Sequence, residues 1–379
     1  MSYGRRVLLV EPYHGGSHAA WADGLVRHSR HRLSVVTERG AFWRWRMRGG
    51  SLTLAEAAKR VVAEHGLPEV VLVSGMVDLA AWLGFTRRFL GDPPVVLYLH
   101  ENQLAYPVGP GQRPDEGLQI VNWTSMAVAD QVWCNSAHQL DALFGTLPSL
   151  LDRAPDQSHA HRLEVVRAAS HVVPVGVELS DVPAGGTVGD GGPPLVLWNH
   201  RWDHDKNPEA VFRSLVKLAD EGVDFQVAVV GENTRVDPRE FTAACQQLGD
   251  RVVQVGYLPR GDYTALLGRA DVVVSAALHE FFGIAVVEAM AAGAVPVLPD
   301  RLSYPELVPG QFHDAALYPD GGLTARLRDV LGDLEGWRSR VEGLAGAMRQ
   351  FDWSVVVDDY DLRIESLAAR SESHQLRWP

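Results

Sequence analysis

The sequence predicts an α/β protein built of two doubly wound domains, and three observations carry that prediction. Short, wholly apolar runs of strand length recur along the chain. Stretches of helical spacing separate them. The alternation stops at a Gly/Pro-rich segment, 180–194 (SDVPAGGTVGDGGPP), and then starts again. Continuous apolar runs suit strands buried on both faces, and strands alternating with helices imply parallel βαβ units.

In the first half, residues 7–10 (VLLV) read as a buried strand that ends near Pro12 and the turn residues Gly15 and Gly16. Residues 70–73 and 95–99 are similar runs, and 132–135 and 172–175 add two more strands. Helical stretches fall at 54–64 and 122–129. In the second half, residues 195–198, 226–230, 252–255, 272–275 and 296–298 read as strands, and 208–221 and 284–292 as helices. The expected division is a first domain over 1–179, a linker over 180–194, a second domain over 195–352 and a terminal helix within 353–379. Ligands of such domains bind at the carboxyl ends of the strands.

Bulk properties narrow the function. The chain is 46% hydrophobic and 22% charged, ordinary for a globular protein. No apolar run reaches the roughly 18 residues of a membrane span, and residues 1–6 lack the apolar core of a signal peptide. Two cysteines argue against a disulfide framework and against a structural zinc site. The expectation is a cytoplasmic protein with no membrane partner. The net charge of −12 is uneven: residues 1–180 hold 17 Lys/Arg and 17 Asp/Glu, residues 181–379 hold 18 and 30. An anionic polymer should therefore meet the first half.

Four motifs carry chemistry. Glu280-Phe-Phe-Gly-Ile-Ala-Val-Val-Glu288 follows a strand and opens a helix near Gly283. Unpaired amides at a helix start bind phosphate, and Gly283 lets a ligand approach the backbone. Glu288, a turn further on, is within reach of a ribose, and Glu280 of the hydroxyls of a transferred sugar. A helix cap and a half-exposed helical glutamate would show the same spacing. Arg201 and Lys206, in 200–209 (HRWDHDKNPE), follow another strand end and suit a diphosphate, or are a solvated basic pair. In the first half, 13–18 (YHGGSH) is a glycine loop without the GxGxxG dinucleotide pattern. Residues 100–107 (HENQLAYP) gather polar groups at a strand end, where ligands sit, and His100 there is a candidate binding group or a satisfied structural histidine. Residues 42–48 (FWRWRMR) alternate Arg with Trp, so that rings could stack on bases while cations meet phosphates; an amphipathic strand with one Arg-rich face is the alternative.

The second half resembles the retaining glycosyltransferases of family 4, which have the GT-B fold. The pair Glu280 and Glu288 and the pair Arg201 and Lys206 match their hallmarks. That resemblance implies that Glu280 contacts the donor sugar, that the backbone at Phe281, Phe282, Gly283 and Ile284 holds sugar and phosphate, and that Glu288 binds the ribose. It implies further that Gly15 and Gly16 face the donor phosphate, that Gly231 and Glu232 line the donor pocket, and that Tyr257 and Leu258, within 256–259, lie against the base. The terminal helix, 353–367 in particular, is expected to cross back to the first domain.

The motifs at 11–18 (EPYHGGSH), 42–48, 100–107, 200–209, 279–283 (HEFFG) and 304–307 (YPEL) together resemble the tRNA-queuosine α-mannosyltransferase family. This implies GDP-mannose as donor and the cyclopentene-diol of queuosine, in a tRNA anticodon loop, as acceptor. Catalysis then falls to Glu280, His100, Arg201 and Lys206. The acceptor side comprises His18, Trp43, Arg44, Trp45, Arg46, Arg48, Glu101, Asn102, Gln103 and Tyr106. No metal or other cofactor is expected, because the two cations and the helix start take the charge of the leaving diphosphate. Segments 150–171 and 180–194 depart from the family pattern. Two other functions share many of these features: a family 4 enzyme with another nucleotide sugar and a small-molecule, glycan or lipid acceptor, and a non-catalytic protein that binds tRNA or a nucleotide sugar.

Overall fold

Two parallel six-stranded sheets organise the protein in this computed structural model, which describes residues 4–106, 113–183, 192–231 and 239–375. The first sheet contains β1 (Arg6–His14), β2 (Arg32–Arg39), β3 (Val70–Ser74), β4 (Val95–Leu99), β5 (Gln131–Cys134) and β6 (Ser170–Val172), in the order β2-β1-β3-β4-β5-β6. The second contains β7 (Leu195–Trp198), β8 (Gln226–Val230), β9 (Val252–Gly256), β10 (Val272–Val274), β11 (Val295–Pro299) and β12 (Leu317–Tyr318), in the order β12-β11-β10-β7-β8-β9. Both sheets are doubly wound. The strand order reverses beside β1 in one and beside β7 in the other, and crevices for ligands open at the carboxyl ends of such strands.

The chain divides into two units, one formed by residues up to 176 together with those from Trp353 onward, the other by Val177–Asp352. Period-two alternation sorts the strand residues: Leu8 and Val10, Val71 and Val73, and Leu97 and Leu99 join Trp82, Trp123 and Leu54 in one buried cluster. On the other face, Trp21 stacks on Tyr98 at 4.6 Å. Among the described residues no helix is long and apolar enough to cross a membrane. Cys134 and Cys245 are free thiols, and burial pushes Cys134 up to about 12.

Three segments differ from the sequence reading. β2 is an edge strand of alternating, half-buried residues, RLSVVTER, and has no continuous apolar run to announce it. β6 pairs with β5 through Ser170, His171 and Val172, two residues earlier than the apolar run at 172–175. FWRWRMR is no strand: Trp43–His65 is one helix. Of the Gly/Pro-rich segment, residues 184–191 lie outside the described residues; before them, Arg349 donates to the carbonyls of Leu179, at 2.5 Å, and Val182.

The closing helix, Trp353–Gln375, belongs to the first unit. Trp353 is buried against two glycines. A Cβ on Gly24 would lie 2.1 Å from its Nε1, and one on Gly176 2.2 Å from its Cδ2. Trp21 donates to the Tyr360 hydroxyl at 3.0 Å, which donates in turn to the Pro174 carbonyl at 3.0 Å.

Candidate functional site

In the second unit, loops from adjacent strands build a charged cluster. The turn after β7 and the segment after β10 are tied together by backbone bonds, Leu278 and His279 N–H both donating to the Asp205 carbonyl at 2.7 and 3.2 Å. This fixes Lys206, whose Nζ donates to Glu280 Oε2 at 3.0 Å and to the His279 carbonyl at 2.9 Å, and lies 3.1 Å from Asp205 Oδ2. Burial alone would lower the Lys206 ammonium; the carboxylates of Glu280 and Asp205 outweigh it and hold the pKa above its ordinary value. Burial likewise works to raise Glu280, but Lys206 and His200 keep it below the usual carboxylate range. Both groups are therefore ionised at neutral pH. Arg201 is exposed, and its charge acts on Lys206.

Gly283 caps the Ile284–Ala291 helix from the left-handed region, at φ 106°, with Glu280, Tyr304 and Leu307 around it. The start of this helix and the Lys206–Glu280 pair are four residues or fewer apart in sequence on the Glu280 side, so the unpaired amides of the helix start and the Glu280 carboxylate share one short segment. Tyr304, of the YPEL motif, is buried and bonds Ser275 Oγ at 2.7 Å.

Glu288 is buried on that helix and already held. Arg260 donates to its Oε1, the Tyr263 hydroxyl donates to Oε2 at 3.2 Å, and Asn199 Nδ2 donates to the Tyr263 hydroxyl at 3.0 Å. Burial pushes Glu288 up, against the pull of Arg260 and Tyr263. Arg260 also grips Asp181 and the Glu178 carbonyl. Gly231, at φ 150°, is where β8 meets the β7 loop: a Cβ there would stand 2.0 Å from the His200 carbonyl oxygen. Tyr257 is exposed, and Leu258 follows it. Glu232 lies outside the described residues. Asn199, His200, Asp205, Arg260 and Tyr263 are members of this site that the sequence reading did not single out. His200 and Asp205 stand inside a motif that was read; Arg260 and Tyr263 come from a separate helix and have no local signature.

In the first unit, the glycine loop and the end of β4 meet at a buried carboxylate. Glu11 Oε1 accepts the Tyr13 N–H at 2.8 Å and lies 3.1 Å from His18 Nδ1, while Glu11 Oε2 lies 3.9 Å from His100 Nε2. The two imidazoles are 4.1 Å apart between ring centroids. Burial first, and the neighbouring His18 second, hold His100 well below its ordinary pKa, so it is neutral. Gly15 packs on Gly40, and Gly16, at φ 53°, opens the Gly16–His28 helix. Asn102 is buried and caps its own turn, its Oδ1 accepting the Ala105 N–H at 2.8 Å; the Gln103 N–H donates to Asn122. Glu101 and Tyr106 are half-buried; Pro107 lies outside the described residues.

The Arg/Trp segment separates into two kinds of residue. Trp43 packs on the small cluster of Met47, Met76 and Leu118. Arg46 pairs with Glu38 at 2.9 Å, and Arg48 with Asp115. Arg44 lies over the Trp43 ring at 4.5 Å, and Phe42 and Trp45 are exposed, 69% and 64%.

Residues 6–177 match a family model described as tRNA-queuosine alpha-mannosyltransferase N-terminal, and residues 187–330 one described as glycosyl transferases group 1. The tRNA-queuosine alpha-mannosyltransferase of Drosophila melanogaster is 32% identical over 312 residues, covering 80% of this chain and 81% of that protein. Among solved structures, the sucrose-phosphate synthase of Thermosynechococcus elongatus superposes with a TM-score of 0.73 at 17% identity, over 97% of this chain and all of that one. Anabaena HepE with UDP and glucose gives 0.68 at 16% identity, over 96% of this chain and all of its own. These two likenesses show the fold, GT-B.

Proposed function

The chain belongs to the tRNA-queuosine alpha-mannosyltransferase family, a glycosyltransferase family of GT-B fold, and from that premise we propose that it transfers mannose from GDP-mannose to a hydroxyl of the cyclopentene-diol of queuosine in a tRNA. The observation that carries the donor half is the buried Lys206–Glu280 pair, 3.0 Å apart, beside a helix start capped by Gly283. Glu280 receives hydroxyls of the sugar. Arg201, Lys206 and the amides beyond Gly283 receive the diphosphate, and Glu288, oriented by Arg260 and Tyr263, the ribose.

In this reading the bond from the anomeric carbon to the phosphate oxygen breaks as the acceptor hydroxyl bonds to that carbon from the same face. The departing phosphate oxygen takes the acceptor's proton, so no protein nucleophile is required. Charge grows on the diphosphate as the bond breaks, and fixed cations and amides stabilise that charge more than they stabilise the bound donor. They do there what a divalent ion does in other sites, so the diphosphate needs none. His100 serves the chemical step at the sugar, the exposed Arg44, Trp45 and Phe42 belong to the acceptor half, and a tRNA substrate implies a cytoplasmic reaction.

Incubation with GDP-mannose and queuosine-containing tRNA, followed by nucleoside mass analysis, tests this. The expected result is a gain of one hexose on queuosine, lost in Glu280→Ala by about 100-fold or more in rate. UDP-glucose and UDP-galactose in parallel should give none. Unmodified queuosine with GDP-mannose and full transfer from a UDP-sugar would replace the donor; transfer at wild-type rate by Glu280→Ala would remove the site.

A further inference from the structure

The carboxylate of Glu11 is fully buried, and among the described residues its only partners at ion-pair distance are His18 and His100. Glu11 Oε2 also accepts no hydrogen bond, and neither does His100 Nε2 make one; the two buried atoms face each other across 3.9 Å. That is too long for a hydrogen bond, and buried polar atoms are seldom left in this way. Neither atom exposes surface to water, so a bridging water or substrate hydroxyl, which needs about 2.7–3.0 Å to each, has no room.

A metal ion needs less. Zinc lies about 2.0–2.2 Å from nitrogen and carboxylate oxygen, which puts the ligand atoms of one tetrahedral ion about 3.4 Å apart. Here Glu11 Oε1 lies 3.1 Å from His18 Nδ1 and Glu11 Oε2 3.9 Å from His100 Nε2, and one ligand atom from each of the three residues lies within 4.8 Å of the others. The ligands stand on β1, on the first turn of the Gly16–His28 helix and directly after β4, all parts of the rigid scaffold. Aromatic rings wall the cluster: Tyr13 lies 5.6 Å from His18, and Trp21 and Tyr98 each 4.8 Å from His100.

We propose that Glu11, His18 and His100 bind one divalent transition-metal ion of the zinc class, with three protein ligands and a fourth position for an oxygen ligand. Two imidazoles and one carboxylate are a zinc donor set. The site uses residues of the first unit alone; His18 and His100 also figure in the reaction proposed above, but their binding of an ion requires neither its donor nor its acceptor.

The test reads metal, not turnover. The full chain is stripped with a chelator and titrated with Zn2+ against a competing chelator, then with Co2+ followed by its visible absorption. One ion per chain is expected, with the d–d bands of a low-coordinate nitrogen and oxygen site, and zinc should raise the melting temperature. Glu11→Gln and His100→Ala should bind at least about 100-fold more weakly, with Glu11→Gln, which keeps shape and volume, no longer stabilised by zinc. Glu280→Ala should bind as the wild type does, even where it transfers no sugar. A wild-type chain that takes up no ion at micromolar concentration, or a Glu11→Gln chain that binds zinc as the wild type does, overturns the proposal.

Discussion

At the scale of single residues, His200 sets a measurable pH dependence. Its ring is buried, with Nε2 unbonded, and is pushed down to about 4, first by burial and then by the Lys206 charge. In the unfolded chain it titrates near 6.5. Between these values the unfolded chain takes a proton that the folded one refuses. The stabilisation is therefore complete above about pH 6.5 and is lost as the pH falls toward 4, about 3 kcal/mol in all. Urea unfolding of the second unit at pH 7, 5.5 and 4.5 should show this loss, and His200→Gln should flatten it; equal pH slopes for the two proteins would refute the assignment. His200 could be suspected from its place beside Arg201, but its burial could not. The same holds across the site. Glu280 and Glu288 were legible because one local spacing carries both. The groups that tune them come from afar: Lys206 lies 74 residues from Glu280, and Arg260 28 from Glu288. Glu11 was overlooked for a similar reason, since one of its two histidines lies on the far side of β3.

At the scale of the element, the first turn of the Trp43–His65 helix shows what alternation in a sequence can conceal. Arg at every second position suggests a strand face, but on a helix successive members of that series lie on opposite sides, so Arg46 leaves the face that Arg44 and Arg48 share. Arg46 and Arg48 turn to Glu38 and Asp115, Trp43 turns inward, and Arg44 and Trp45 remain at the surface. Phe42 precedes the helix at φ 58°, a left-handed backbone that costs a bulky residue about 1–2 kcal/mol. Its ring is nonetheless exposed, with the Arg39 guanidinium 5.7 Å above it. Strain that stability does not require points to binding. Phe42→Gly should therefore stabilise the fold by up to about 1 kcal/mol while weakening tRNA binding by about 1–3 kcal/mol. Arg44→Gln should lower the slope of log affinity against log salt by about 0.7–0.9, more than either paired arginine does. Calorimetry with filter binding from 50 to 300 mM salt checks both. A Phe42→Gly protein that binds tRNA as tightly as the wild type would make the ring incidental. The buried strands were readable because burial on both faces leaves a continuous apolar run; β2, half-buried at an edge, had none.

At the scale of the whole molecule, charge and chain path divide differently from the sequence midpoint. The unit completed by the terminal helix holds 20 Lys/Arg and 21 Asp/Glu, the other 15 and 26, so the acidity belongs to the unit that holds Lys206 and Glu280. A polyanion should meet the nearly neutral unit, where the exposed Arg44 lies. That unit is also discontinuous, as the family resemblance implied for residues 353–367 although no local pattern shows it. Its core needs Trp353, Tyr360 and Ile364, all buried, and the loop before β2 needs Asp361, which accepts from Ser29 Oγ at 2.5 Å and from the Arg30 N–H at 3.0 Å. Removing a single buried tryptophan costs about 3–5 kcal/mol, a large part of the stability of an ordinary domain. A chain ending at Asp352 should thus lose the first unit and keep the second. Amide hydrogen exchange should report protection across β7 to β12 and rapid exchange across β1 to β6, and a peptide of residues 353–375 added in trans should restore it. Equal protection of both sheets in the truncated chain would mean that residues 1–176 hold their fold unaided, and that the two glycines lie against Trp353 without depending on it.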